Sequence, residues 1–122
     1  LGLYKTTVDG MFEEQSAPQT MGDRQGLRQL TLDNNSTKLQ ITTEGMVAFS
    51  LSHFDDAQFN YDVFYGGKHP YDLVRSNQIF AHFDFWQRGI GNHSCGGDSC
   101  LPQYMTPTGA HEFTLRFAPM AK

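Results

Sequence analysis

Basic side chains are scarce in this sequence: nine Lys plus Arg against thirteen Asp plus Glu give a formal net charge of −4 over 122 residues. Nucleic acid and anionic membranes both demand a concentrated basic surface, so neither is expected as a partner. Long apolar runs are missing too. No stretch of 18 apolar residues occurs, and that is the length a membrane-spanning helix requires. There is no GxSxG elbow, Walker A loop, HExxH pair or dinucleotide-binding fingerprint, which removes the reaction classes those motifs announce. Internal repeats, low-complexity tracts and linkers are likewise absent. The length suits one domain, residues 1–122, with a modest core. The chain enters a strand-like YKTTV directly from Leu1. It is therefore expected to be an excised piece of a longer protein, with localisation signals carried elsewhere and both cytoplasm and periplasm open.

Cysteine is nearly absent, and its two copies, Cys95 and Cys100, fall in one glycine-rich loop. A disulfide between them is geometrically possible, and two unpaired thiols are as common in so short a loop. His93 adds a third potential ligand at a spacing foreign to known metal sets, so no metal is expected.

What the sequence does contain is a stretch from Ile79 to Cys100 around which the rest is organised. Its first eight residues alternate as an extended backbone does, with successive side chains on opposite faces. Ile79, Ala81, Phe83 and Phe85 form one apolar face directed at a core. Phe80, His82, Asp84 and Trp86 form the other, mixing aromatic planes with polar groups. That mixture suits a sugar, whose C–H faces pack on rings while its hydroxyls need hydrogen-bond partners. The bland readings are a solvated strand carboxylate at Asp84, a surface or packing histidine at His82, and core rings at Phe80 and Trp86. Gly89, Gly91, Gly96 and Gly97 then mark a structural loop where the backbone needs positive φ or a close approach.

Elsewhere, Tyr4 to Val8 reads as a short strand and Met11 to Gln25 as a loop. Order resumes at Leu27, Leu30 and Leu32, and Asp33 to Ser36 is a turn by composition. A hairpin is expected next, with Leu39 and Ile41 on one strand, Glu44-Gly45 at the turn, and Val47, Phe49 and Leu51 on the return. Asp55 or Asp56 caps a helical turn, and Pro70 opens another running through Val74. A last strand over 111–117 directs Phe113, Leu115 and Phe117 inward, with Glu112, Thr114 and Arg116 outward. Short strands separated by turns make the fold class all-β, an antiparallel β-sandwich. Thirteen carboxylates are enough in number for a glycosidase pair, but none stands in a setting that singles it out.

Several motifs in order resemble one family. Pro18-Gln19-Thr20-Met21-Gly22-Asp23-Arg24 with Leu27-Arg28-Gln29-Leu30 is similar to the PQExGNR…VRWL segment in the C-terminal domain of large, multidomain β-galactosidases of glycoside hydrolase family 2. His69…Asp72-Leu73 resembles its H..DL element. Asp84…Gln87-Arg88-Gly89-Ile90-Gly91-Asn92-His93-Ser94-Cys95-Gly96 resembles D..QxGxGSNSCGP, and Leu101-Pro102…Tyr104 resembles LPEY. The chain departs from the pattern at Thr20, Asp23 and Gln29, and by the insertion Gly97-Asp98-Ser99-Cys100.

The resemblance implies the C-terminal part of a supersandwich, galactose mutarotase-like domain, also called domain 5 or the small-chain domain. The family hydrolyses terminal β-D-galactosides with retention, using two glutamates on a TIM barrel that this chain does not contain. The resemblance therefore gives this segment no catalytic residue. It implies a galactoside pocket wall that includes an aromatic at the place of Phe80, where a family type sequence has Trp. It also implies the parent's remaining domains and a homo-oligomer as partners. No cofactor is implied here, because the Mg2+ and Na+ the family often uses are bound mainly in other domains.

Overall fold

The computed structural model of the chain describes residues 2–16, 21–59, 68–88 and 100–121. Among them the secondary structure is all-β, as expected: five short strands and four single-turn 3-10 segments. The strands are β1 (Leu30–Asp33), β2 (Lys38–Thr43), β3 (Ala48–Ser52), β4 (Phe80–Asp84) and β5 (Leu115–Met120). They form a three-stranded sheet in the order β1-β2-β5 and a two-stranded sheet of β3 with β4. The loop glycines Gly89, Gly91, Gly96 and Gly97, with His93, Cys95 and Pro18 to Thr20, lie outside the described residues.

The β1–β2 turn follows from local chemistry. The Asp33 carboxylate accepts the Asn35 N–H at 2.9 Å, and the Asn34 side-chain Oδ1 accepts the N–H groups of Ser36 at 3.0 Å and Thr37 at 2.7 Å. Asn35 takes φ 67°, a left-handed conformation that asparagine tolerates. Antiparallel pairing then puts Leu30 opposite Ile41 and Leu32 opposite Leu39. Asn34→Ala removes an acceptor shared by two backbone donors and is expected to cost about 1 kcal/mol. A thermal melt reads it as a fall of several degrees that Asn34→Asp largely avoids.

The expected hairpin between β2 and β3 does not form, although its turn does. Gly45 adopts φ 81°, yet β2 pairs with β1 and β5 while β3 pairs with β4. β5 takes the free edge of β2, from Lys38 opposite Met120 to Thr43 opposite Leu115. Alternation along a strand says which residues share a face and leaves the partner strand open.

Three further expectations are corrected. Tyr4 to Val8 forms no strand: nothing among the described residues pairs with it, Tyr4 is largely exposed, and the chain instead enters a 3-10 turn at Asp9–Met11. The helical turn opened by Pro70 ends at Asp72. Val74 is held outside it by Gln58, whose amide donates to the Val74 carbonyl at 3.0 Å and accepts its N–H at 2.8 Å. The capping residue of the other turn, Asp56–Gln58, is Asp55, which accepts the Ala57 N–H at 2.9 Å. Finally, β5 starts later than expected, and Phe113 and Phe117 are 59% and 58% exposed, with only Leu115 half-buried.

The chain divides into two compact units, Leu1–Arg24 with Phe49–Phe83, and Gln25–Ala48 with Asp84–Lys122. In the first, Met11 and Leu51 are buried, and Phe12 packs on Phe54 with ring centroids 5.2 Å apart. Arg75 donates to the Asp9 carboxylate at 2.6 Å. That hydrogen bond, supported by the guanidinium charge, holds the Asp9 carboxyl below the usual carboxylate range. With the folded value depressed, the pair's contribution is present in full above the ordinary range and is lost as pH falls through the folded value. In the second unit Leu27, Leu30, Ile41, Val47, Ala48 and Cys100 are buried. Gly26 and Leu27 both donate to the Val47 carbonyl at 3.0 Å, which brings Leu27 beside the core.

Candidate functional site

The sequence expectation placed Phe80, His82, Asp84 and Trp86 on one face of one strand. β4 covers only Phe80 to Asp84, so Trp86 lies beyond it. Phe80 and His82 are half-buried in the first unit, while Asp84 and Trp86 are exposed in the second. The opposite, core-directed face is not dry. Ala81 is exposed and Ile79 is 37% exposed, with Phe83 and Phe85 half-buried. A two-stranded ribbon covers little of either face, so alternation along β4 does not translate into an inside and an outside.

In the first unit the approach to β4 is fixed by His53. Its Nδ1 lies 3.1 Å from the carbonyl oxygens of both Ser76 and Gln78, and its own carbonyl accepts the Ser76 N–H at 2.8 Å. On β4 itself, His82 Nε2 lies 2.8 Å from Asp56 Oδ2. Both side chains are nearly half exposed, so the contact orients the imidazole more than it stabilises the fold. Phe80, one alternation away on the same side of the strand, is left with part of its ring open to solvent. These two side chains supply a ring and an oriented polar group next to each other, the pairing expected of a sugar-contacting surface.

The second unit holds an open cleft of about 410 Å³, lined by Glu44, Gly45, Met46, Phe85, Trp86, Glu112, Phe113 and Thr114. Trp86, 47% exposed, leans on His111 with centroids 4.4 Å apart and planes inclined by 46°. Phe85 stacks on Phe113, also at 4.4 Å, with planes inclined by 25°. Glu44 is bound by the Arg116 guanidinium, which joins the β2 end to β5. Glu112 is exposed and makes no ion pair among the described residues.

Of the expected site residues, then, only Trp86 lines this cleft. Phe85, Phe113 and Glu112 were missed. Phe85 had been assigned to the core by extending strand alternation past Asp84, where β4 ends, and Phe113 by starting the last strand at residue 111, before β5 begins at Leu115. The usable signal was local: Phe85-Trp86 and Glu112-Phe113 are each an adjacent pair with two different demands. Among the described residues no three His, Cys, Asp or Glu side chains gather in a group that could hold a metal ion.

Residues 1–117 match the family described as beta galactosidase small chain. No curated protein matches the chain.

Proposed function

Since this chain belongs to the beta galactosidase small chain family, we propose that it is the non-catalytic C-terminal part of a retaining glycoside hydrolase family 2 β-galactosidase, and that it completes the wall of the galactoside pocket. The observation that carries this reading is the half-exposed Phe80 ring beside an imidazole oriented by Asp56. A galactoside has one relatively apolar C–H face and a rim of hydroxyls. Phe80 offers the first a ring, and His82 offers the second a hydrogen-bonding nitrogen. Acid/base and nucleophile both belong to the parent's barrel. The chain supplies shape and affinity, with the barrel domain and further copies of the parent enzyme as its partners. Metal ions the parent uses are held in its other domains. The domain type this reading implies is a supersandwich.

Contacts shared by substrate and transition state raise affinity without lowering the chemical barrier. In the assembled enzyme, Phe80→Ala is therefore expected to raise KM several-fold, on the order of 1 kcal/mol for a lost ring contact, and to change kcat less. Phe80→Trp restores or improves KM. The 122-residue chain by itself is expected to give no hydrolysis of a chromogenic β-galactoside, because a retaining site needs two carboxyl groups about 5 Å apart and both reside in the parent's barrel. Turnover that survives rigorous purification, or a Phe80→Ala enzyme that loses thermal stability while keeping its KM, overturns the reading.

A further inference from the structure

We infer that the Trp86 cleft is a second saccharide-binding site, one that takes a neutral glycan through ring stacking and carboxylate hydrogen bonds, independently of Phe80. At about 410 Å³ the open cleft falls within the range of small-ligand sites, roughly 300–1,000 Å³. Its lining divides into the two chemistries a sugar needs. Trp86 and Phe113 are 47% and 59% exposed, large planes left in water by a chain that buries few side chains fully. Each is braced from one side, Trp86 by His111 and Phe113 by Phe85, so an incoming ring meets a surface already fixed in place. Glu112 and Thr114 flank Phe113 and supply acceptor and hydroxyl groups at the rim.

Charge selects among ligands that like aromatic rings. A cationic guest would also stack on Trp86, and it would want the carboxylates unpaired. Glu44 is already neutralised by Arg116, which leaves Glu112 as the single charge of the lining uncompensated among the described residues. An anionic guest is opposed by that carboxylate. A neutral polyol uses it as an acceptor and meets no net repulsion. The residues come from three short segments, 44–46, 112–114 and 85–86. The Arg116–Glu44 bond and the backbone bond from Glu44 N–H to the Thr114 carbonyl at 3.5 Å hold the first two segments together.

The chain has one tryptophan, so its fluorescence reports this cleft directly. Titrating the full chain with lactose, with choline as the cationic comparison, is expected to give a saturable change in emission for lactose alone. Phe113→Ala and Glu112→Gln should each weaken the titration, by roughly five-fold for the lost ring. Phe80→Ala should leave it unaltered. A response abolished by Phe80→Ala but not by Phe113→Ala overturns the second site while leaving the proposed function intact. A response to choline in place of lactose, or one that tracks chain concentration without sugar, overturns it as well, the latter marking the cleft as a contact between copies. Loss of the KM effect of Phe80→Ala with a normal lactose titration has the opposite meaning and refutes only the pocket-wall reading.

Discussion

Gly22→Ala is expected to destabilise the chain by roughly 2–4 kcal/mol, more than almost any other single methyl group would. Two costs coincide there. Gly22 has φ 78°, a left-handed conformation that costs an L-residue about 1–2 kcal/mol. In addition, a Cβ at Gly22 would stand 2.7 Å from the Met11 carbonyl oxygen, a backbone atom with no room to swing away. Met11 is 1% exposed and its N–H is already bonded to the Val8 carbonyl at 3.1 Å, so relieving the clash means moving a buried turn. Gly45 makes the control. Its φ of 81° is nearly the same, but nothing lies within 4 Å of its would-be Cβ. Gly45→Ala should cost about 1 kcal/mol, the conformational share alone. Denaturant midpoints of the two variants, compared at equal slope, measure the difference. Equal losses at both positions would show that close approach to Met11 contributes nothing.

The second large effect concerns one row of the three-stranded sheet. Leu30, Ile41 and Phe117 stand directly opposite one another across β1, β2 and β5, yet Ile41 is 3% exposed and Phe117 is 58% exposed. Ile41→Ala is expected to cost about 2–5 kcal/mol, the transfer of the lost methylenes plus the cavity they leave. Phe117→Ala in the isolated chain should cost less than about 1 kcal/mol, since most of its ring is already in water. In the proposed parent enzyme the same substitution should approach the cost at Ile41, because an exposed phenylalanine on an edge strand is the kind of surface a neighbouring domain covers. Equal, small effects of Phe117→Ala in both settings would mean that nothing covers this end of the sheet.

The sequence disclosed what depends on near neighbours. The Asp33 to Ser36 turn rests on side chains that bond to backbone two or three residues on, and its two flanking strands follow from it. The cap at Asp55 and the turn opened by Pro70 have the same local origin. The motif-by-motif resemblance also identified the family correctly, because short ordered motifs survive even where individual residues have drifted. Pairing of β2 with β5 was illegible, since alternation in Ile41 and Phe117 says that each has a buried-facing side and nothing about which strand lies alongside. The candidate site was legible in part. Trp86 was singled out, but Phe85 was read as core because the strand was carried past Asp84, and Phe113 because the last strand was started at residue 111. Their actual exposure depends on where β4 stops and where β5 starts, and no residue type near Asp84 or Leu115 announces those ends.

The β2–β5 ladder sets an order of events during synthesis. Thr43 and Leu115 close it, and Arg116 reaches Glu44 across the same junction. A ribosome adding about 5–20 residues per second needs roughly 4–14 s to travel from the first of these strands to the second. For that interval β1 and β2 form a hairpin within microseconds, but one whose outer edge, with Ile41 beside it, has no strand of its own to bind. The nascent chain is thus most open to mispairing with another copy just when the hairpin is complete and β5 has yet to emerge. A chaperone that shields an extended edge would act in that window.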